Sequence, residues 1–251
     1  MTDHALIDRF RQARRDQALV VLDGLHAVKH ALRFGAAIDE AVTNDVEAAH
    51  RLAAEVAPDV CAQLTAKLVS VSREDFRQLS PVPPDTGVIA IARRPLVRPD
   101  DVLRGPPDSP VVLLENPRNP FNIGATVRVA SAAGAAGVLV TGQQDPWHPA
   151  AIVSAAGLQF SLPVARIDTL PPCRREALAI DPQGEQMPWD AVPPGPILVF
   201  GTERHGISGE LLARCTRRLA IPMTPGVSSL NLATSAAVAL YTLKLASHVG
   251  P

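Results

Sequence analysis

Between Leu219 and Leu243 the chain reads LAIPMTPGVSSLNLATSAAVALYTL, and this stretch limits the fold more than any other. No helix or strand can run through it. Pro222 and Pro225 each remove a backbone donor and fix φ, and Gly226 breaks what remains. The apolar run Leu219–Ile221 therefore ends a strand. Beyond the break, Leu232, Ala236, Ala239 and Leu243 recur at helical spacing. Ser228 and Ser229 offer hydroxyls as N-caps for that helix, and Asn231 offers its side-chain carbonyl for the same task. The expected unit is strand, tight loop, buried helix. Its loop presents backbone amides and carbonyls with little side-chain cover, a suitable place to hold a polar ligand.

The chain upstream alternates in the same way. Ala18–Leu22, Ala41–Thr43, Ala66–Val71 and Gly87–Ala92 are short apolar runs that read as strands. Leu25–Phe34, Glu47–Val56 and Arg73–Leu79 read as the intervening helices. Residues 1–17 are polar and Arg-rich, a short helix or arm, and residues 18–94 form a small α/β domain. Prolines 95, 99, 106, 107 and 110 then mark a linker over residues 95–109. A second domain over residues 110–251 opens with Val111–Leu114, a continuous apolar run typical of a buried parallel strand. Gly137–Thr141 and Pro196–Phe200 follow the same pattern, and Leu178–Asp181 reads as an edge strand. Helices are expected at Asn122–Gly134, Pro149–Leu158 and Ser208–Cys215. Such alternation gives an α/β domain with a largely parallel sheet, whose ligands sit beyond the carboxyl ends of the strands.

Charge gives no strong electrostatic signature. The formal net charge is −1, with 14 basic against 15 acidic residues up to Pro107 and 10 against 10 beyond it. That balance does not announce a nucleic-acid binder, though the Arg clusters at 9, 11, 14 and 15 and at 214, 217 and 218 leave room for local phosphate contacts. Cys61, Cys173 and Cys215 share no metal-ligand spacing and read as reduced thiols of a cytoplasmic protein. His26 and His30 lie four apart but have no third ligand nearby, so no metal site is expected. No apolar run reaches membrane-spanning length, and the N-terminus carries no signal-peptide core.

Three loops follow three of the strands and should meet at one sheet edge. The first, Glu115–Asn122, leads into a helix that carries Gly124 and, one turn on, Arg128. Helical side chains lean toward the N-terminus, so Arg128 is expected over the bare Gly124, beside a helix start that favours anions. The second, Gly201–Ile207, places Glu203 just before a helix, with His205 beside it. The third is the loop through Pro222 and Asn231 already described.

Together these loops resemble the SpoU (TrmH) family of SPOUT methyltransferases, which transfer a methyl group from S-adenosylmethionine to a ribose 2′-hydroxyl of RNA. The first family motif is matched by Asn122, Gly124 and Arg128, and the second by Gly201, Glu203, Gly206 and Ser208. The third is matched by Ile221, Pro222, Met223, Gly226, Ser229, Leu230 and Asn231. Val21–Leu32 and Thr86–Ala92 resemble the small substrate-binding domain, akin to RNA-binding ribosomal proteins, that precedes many catalytic domains of the family.

The resemblance implies a trefoil-knotted, mainly parallel sheet, an exception to the usual avoidance of knots. It also implies a homodimer with S-adenosylmethionine as cofactor. By position, Phe200, Gly201, Thr202, Ile221, Met223, Ser229 and Leu230 would hold the cofactor. Arg128, Asn122, Glu203, Ser229 and Asn231 would form the catalytic group. The partner would be RNA, ribosomal rather than transfer RNA, with neither DNA nor membrane. Three departures stand out. Thr202 occupies a position where the family often has Asn, His205 lies where the family often has an acidic or small residue, and the segment from Val153 to Gly157 lacks an Arg found there in relatives. The missing Arg and the neutral charge suit the alternative of a non-catalytic RNA-binding or ribosome-assembly factor. A dehydrogenase-like domain ranks lower, because no Gly-x-Gly-x-x-Gly follows its first strand.

Overall fold

The computed structural model describes residues 4–186, 191–202 and 204–248. The chain divides into two units: residues 1–96 with 156–161, and residues 97–155 with 162–251.

In the first unit the order is α1 (His4–Ala13), β1 (Leu19–Asp23), α2 (Leu25–Arg33), β2 (Ile38–Thr43), α3 (Val46–Val56), α4 (Cys61–Thr65), β3 (Leu68–Ser70), α5 (Arg73–Leu79) and β4 (Val88–Arg93). The sheet order is β1-β4-β2-β3, with β4 antiparallel to both of its neighbours and β3 parallel to β2. The polar, Arg-rich start of the chain forms α1, whose Ile7, Phe10 and Ala13 are buried at helical spacing against β1 and β4 residues. Arg14, just beyond it, grips Asp23 with two hydrogen bonds of 2.8 and 3.0 Å and donates a third to the Leu79 carbonyl.

In the second unit the order is α6 (Pro99–Leu103), β5 (Val111–Leu114), α7 (Pro120–Ala133), β6 (Gly137–Val140), α8 (Pro149–Ala155), β7 (Val164–Arg166), β8 (Ala177–Glu185), β9 (Ile197–Phe200), α9 (Gly209–Leu212), β10 (Arg217–Leu219) and α10 (Leu232–His248). Its strands form one sheet in the order β10-β8-β9-β5-β6-β7, and every pairing between them is parallel. The continuous apolar runs are explained by burial on both faces. Val112, Leu114, Val138, Val140, Leu198 and Phe200 enter one core, while Val111, Leu113, Leu139, Ile197 and Val199 enter the other.

Several expectations change. Leu178–Asp181 belongs to β8, which lies between β10 and β9 rather than at an edge. The edges are β10 and β7, and β7 is too short to stand out as a run in the sequence. The stretch expected as a linker holds α6, with Val102 and Leu103 buried. It is fixed further by Arg175, whose guanidinium donates to five carbonyls, those of Leu103, Gly105, Pro106, Ser109 and Gly195, at 2.7–2.8 Å. All five of its N–H donors are thus used by backbone. Helix α7 starts at Pro120, the favoured first helical residue, with Asn119 as its cap, so Asn122 lies inside the first turn.

Gly124 also has a different role from the one expected. It is buried where α7 crosses α8, and a Cβ there would stand 2.1 Å from the carbonyl oxygen of Ala151. The bare position lets two backbones touch; it does not make room for Arg128, which is exposed. Gly124→Ala should therefore cost about 1–3 kcal/mol by overpacking, measurable by urea unfolding.

Candidate active site

Parallel pairing brings the strand ends to one level. Leu114 is paired with Phe200 and with Val140, so Glu115, Gly201 and Thr141 leave the sheet side by side. The ladder continues one step further, with the Glu115 amide donating to the Phe200 carbonyl at 2.8 Å and the Thr141 amide to the Leu114 carbonyl at 2.9 Å. Asn116 then turns the chain with a φ of 43° and donates its amide to the Thr141 hydroxyl.

The loop after β9 is a closed turn. Thr202 and Gly206 exchange backbone hydrogen bonds of 2.9 and 3.1 Å, and the Thr202 hydroxyl accepts from the His205 amide. Gly206 sits at a φ of +67°. A Cβ on Gly201 would lie 2.1 Å from the Gly206 carbonyl carbon, so a side chain cannot enter there. Glu203 lies outside the described residues. The turn is pinned to β5 through Ser208: the Glu115 carboxylate accepts from the Ser208 amide at 2.7 Å and from its hydroxyl at 2.5 Å. The same hydroxyl caps α9 by accepting from the Leu211 amide, as expected for Ser208.

The loop into α10 is capped differently from the reading of its serines. Asn231, not Ser228 or Ser229, accepts the first free amides of the helix, those of Ala233 at 2.9 Å and Thr234 at 3.4 Å. Because those amides require an acceptor, the amide nitrogen of Asn231 must face outward, and it donates to Asn122 Oδ1 at 3.0 Å. One side chain therefore caps α10 and holds a residue of the first turn of α7. Ser229 is exposed. Arg128 is exposed on α7 and makes no hydrogen bond or ion pair among the described residues.

The residues expected to hold a cofactor separate into two groups. Ile221, Met223 and Leu230 line one cleft together with Pro182 and Ser235. Phe200 is buried in the core beneath the sheet edge, and Gly201 and Thr202 belong to the closed turn. Two acidic residues at the same edge escaped the sequence reading, Glu115 and Asp181. Their common signal is a carboxylate directly after a buried apolar run, Val111–Leu114 in one case and Ala177–Ile180 in the other. Among the described residues no cluster of His, Cys, Asp and Glu could hold a metal ion.

A parallel α/β unit with three loops closing on the carboxyl edge of its sheet is the frame of a ligand-binding enzyme domain. The family model of the SpoU rRNA Methylase family matches residues 109–241. The chain belongs to that family. It is 30% identical to an uncharacterized tRNA/rRNA methyltransferase of Synechocystis, over 96% of this chain and 90% of the relative. It is 36% identical to the 23S rRNA (adenosine(1067)-2′-O)-methyltransferase of Streptomyces laurentii, over 52% of each chain. Among solved structures, an RNA 2′-O ribose methyltransferase is similar at a TM-score of 0.75 and 26% identity, covering 99% of this chain and 98% of the other. The SpoU methyltransferase AviRb of Streptomyces viridochromogenes, solved with AdoMet, has the same fold at a TM-score of 0.79 and 23% identity, covering 97% and 99%.

Two measurements follow from this geometry. Asn231→Ala should lower stability by about 1 kcal/mol, the worth of a cap, in urea unfolding. The second concerns thiols. Burial, and next the nearby Glu115 charge, push the Cys215 thiol up to about 11. At pH 8 a thiol reagent should therefore modify exposed Cys173 in the native protein and reach Cys215 only after unfolding.

Proposed function

We propose that this protein methylates a ribose 2′-hydroxyl of ribosomal RNA with S-adenosylmethionine as methyl donor. The observation that supports this reading is the Asn231–Asn122 hydrogen bond at the first turn of α7, a helix that also carries the exposed guanidinium of Arg128. The apolar side chains of Ile221, Met223 and Leu230 suit a face of an adenosyl group, and the Gly201–Gly206 approach leaves backbone rather than side chains in the turn after β9. When bound, S-adenosylmethionine supplies an electrophilic methyl group on a sulfonium.

The chain's own residues have three tasks. The exposed Arg128 binds the phosphate next to the target ribose through its forked donors, which fixes the hydroxyl in position. Asn122, whose Oδ1 is held by Asn231, orients the ribose, and Ser229 adds a hydroxyl at the loop surface. Glu203 completes the polar group by its place in the sequence. A guanidinium remains protonated in proteins, so Arg128 acts as a donor to the developing alkoxide and not as the base. The proton of the 2′-hydroxyl passes to a phosphate oxygen or to water. Holding the two reactants in line supplies a large share of the rate.

Residues 18–94 would bring the RNA to this site. A homodimer is supported by the exposed apolar stripe Val238, Tyr241 and Leu245 on α10. Among the described residues no helix is long and apolar enough to cross a membrane. With its cysteines free, that suits a place in the cytoplasm. Ribosomal RNA is preferred because the relatives named for a specific nucleotide act on 23S rRNA. DNA lacks the hydroxyl and is not a substrate.

Mapping 2′-O-methyl sites in total RNA from cells with and without the protein tests the reading. The expected result is loss of one ribosomal site, and an unchanged map overturns it. Arg128→Lys should lower methyl transfer at least about ten-fold, because one ammonium cannot replace a forked donor. Full activity in that variant would exclude the phosphate role.

A further inference from the structure

Asp181 is a buried carboxylate with half of its hydrogen-bonding capacity unused. Its side chain is 10% exposed. Both of its partners bind the same oxygen: Oδ1 accepts from the Gln183 amide at 2.8 Å and pairs with Arg218 at 3.0 Å. Oδ2 has no partner among the described residues. It is the atom nearest to where a Cβ on Gly206 would stand, at 3.9 Å, so it lies beside the closed turn after β9. Oδ2 opens on the cleft, an acceptor that a ligand hydroxyl can take over from water.

The fold puts Asp181 at the ligand edge. Ile180 is the last β8 residue paired with β9, opposite Phe200, so Asp181 emerges beside Gly201. On the other side, the pairing of β8 with β10 jumps from Ala179 to Glu185, and Pro182, which has no N–H to give to a ladder, lies inside the jump. Asp181 thus leaves the sheet plane within the cleft that also holds Ile221, Met223 and Leu230. The cleft is lined by apolar Ile180, Pro182, Ile221, Met223 and Leu230, with the Asp181 carboxylate and the Ser235 hydroxyl as its polar side chains. Arg218 already balances the carboxylate, so the site favours a neutral donor over an ammonium.

We propose that Asp181 Oδ2 accepts a hydrogen bond from a hydroxyl of the cofactor's own ribose. This inference rests on the proposed use of S-adenosylmethionine. A carboxylate just past a strand end holding ribose hydroxyls is a recurrent solution in parallel α/β sheets, for the same geometric reason. The residue is a binding determinant for the cofactor, separate from the group that holds RNA.

Titration calorimetry on the full-length protein with S-adenosylhomocysteine and its 2′-deoxy and 3′-deoxy adenosyl analogues decides the matter without measuring activity. Wild-type protein should bind the parent ligand and lose about ten-fold or more in affinity for one deoxy analogue. Asp181→Asn should lose a similar factor for the parent ligand and show no further loss for that analogue. Equal affinity of Asp181→Asn and wild type for the parent ligand overturns the inference, as does an equal added loss with the deoxy analogue. Failure of the wild type to bind S-adenosylhomocysteine at all would instead overturn the cofactor reading beneath it. Arg218→Gln controls for folding: it breaks the same ion pair, and it should keep the discrimination between parent and deoxy ligand. If discrimination disappears in Arg218→Gln while the protein stays folded, the hydroxyl is not read by Asp181 Oδ2.

Discussion

Parallel pairing of β9 with β5 is the constraint on which the site depends. The two strands are in register from Val111 opposite Ile197 to Leu114 opposite Phe200. Parallel neighbours need crossovers, so each strand end must release its loop on the same edge and each helix must return over a face. The polar residues that follow Leu114, Val140, Ile180 and Phe200 are gathered there by topology rather than by sequence proximity. Ser208 and Glu115, 93 residues apart, meet at 2.5 Å, and Asn231 and Asn122, 109 residues apart, meet at 3.0 Å.

Those two contacts share a design. In each, a helix cap also fastens a second loop: Ser208 caps α9 while held by Glu115, and Asn231 caps α10 while holding Asn122. Capping fixes the rotamer of the capping residue, and the second contact transmits that order to a neighbouring motif. The site is therefore ordered by groups that the helices require in any case. Side chains left free for a ligand are few. Arg128 and Ser229 are exposed, and Asp181 keeps one oxygen open.

Glycine does two kinds of work near this edge. At Gly206 the backbone takes a φ of +67°, which a side chain disfavours. At Gly124 and Gly201 the conformation is ordinary, and what matters is another backbone within 2.1 Å of the missing Cβ. Both are motif positions, and the sequence alone points to the wrong neighbour for the first. The helix geometry that aims Arg128 at Gly124 is sound as far as one helix goes. It omits α8, whose Ala151 carbonyl fills that space.

What the sequence determined by itself is the alternation of buried runs and helices, the break at Pro222–Gly226, and three motifs in an order specific enough to name a family. These are local matters of period, of missing donors and of residue identity. The family resemblance implied one pocket for Gly201, Ile221, Met223 and Leu230; the last three line one cleft, and Gly201 belongs to the closed turn. The sequence alone misjudged β8 as an edge, since an apolar run of four looks alike in either place. It offered Ser228, Ser229 and Asn231 as caps for α10, and the structure gives the task to Asn231 alone, because the cap depends on where the helix begins. Only the tertiary structure decided which residues meet across the sheet edge. Glu115 and Asp181 acquire their roles from strand register, and register is set by packing on two faces at once, which no window of sequence contains.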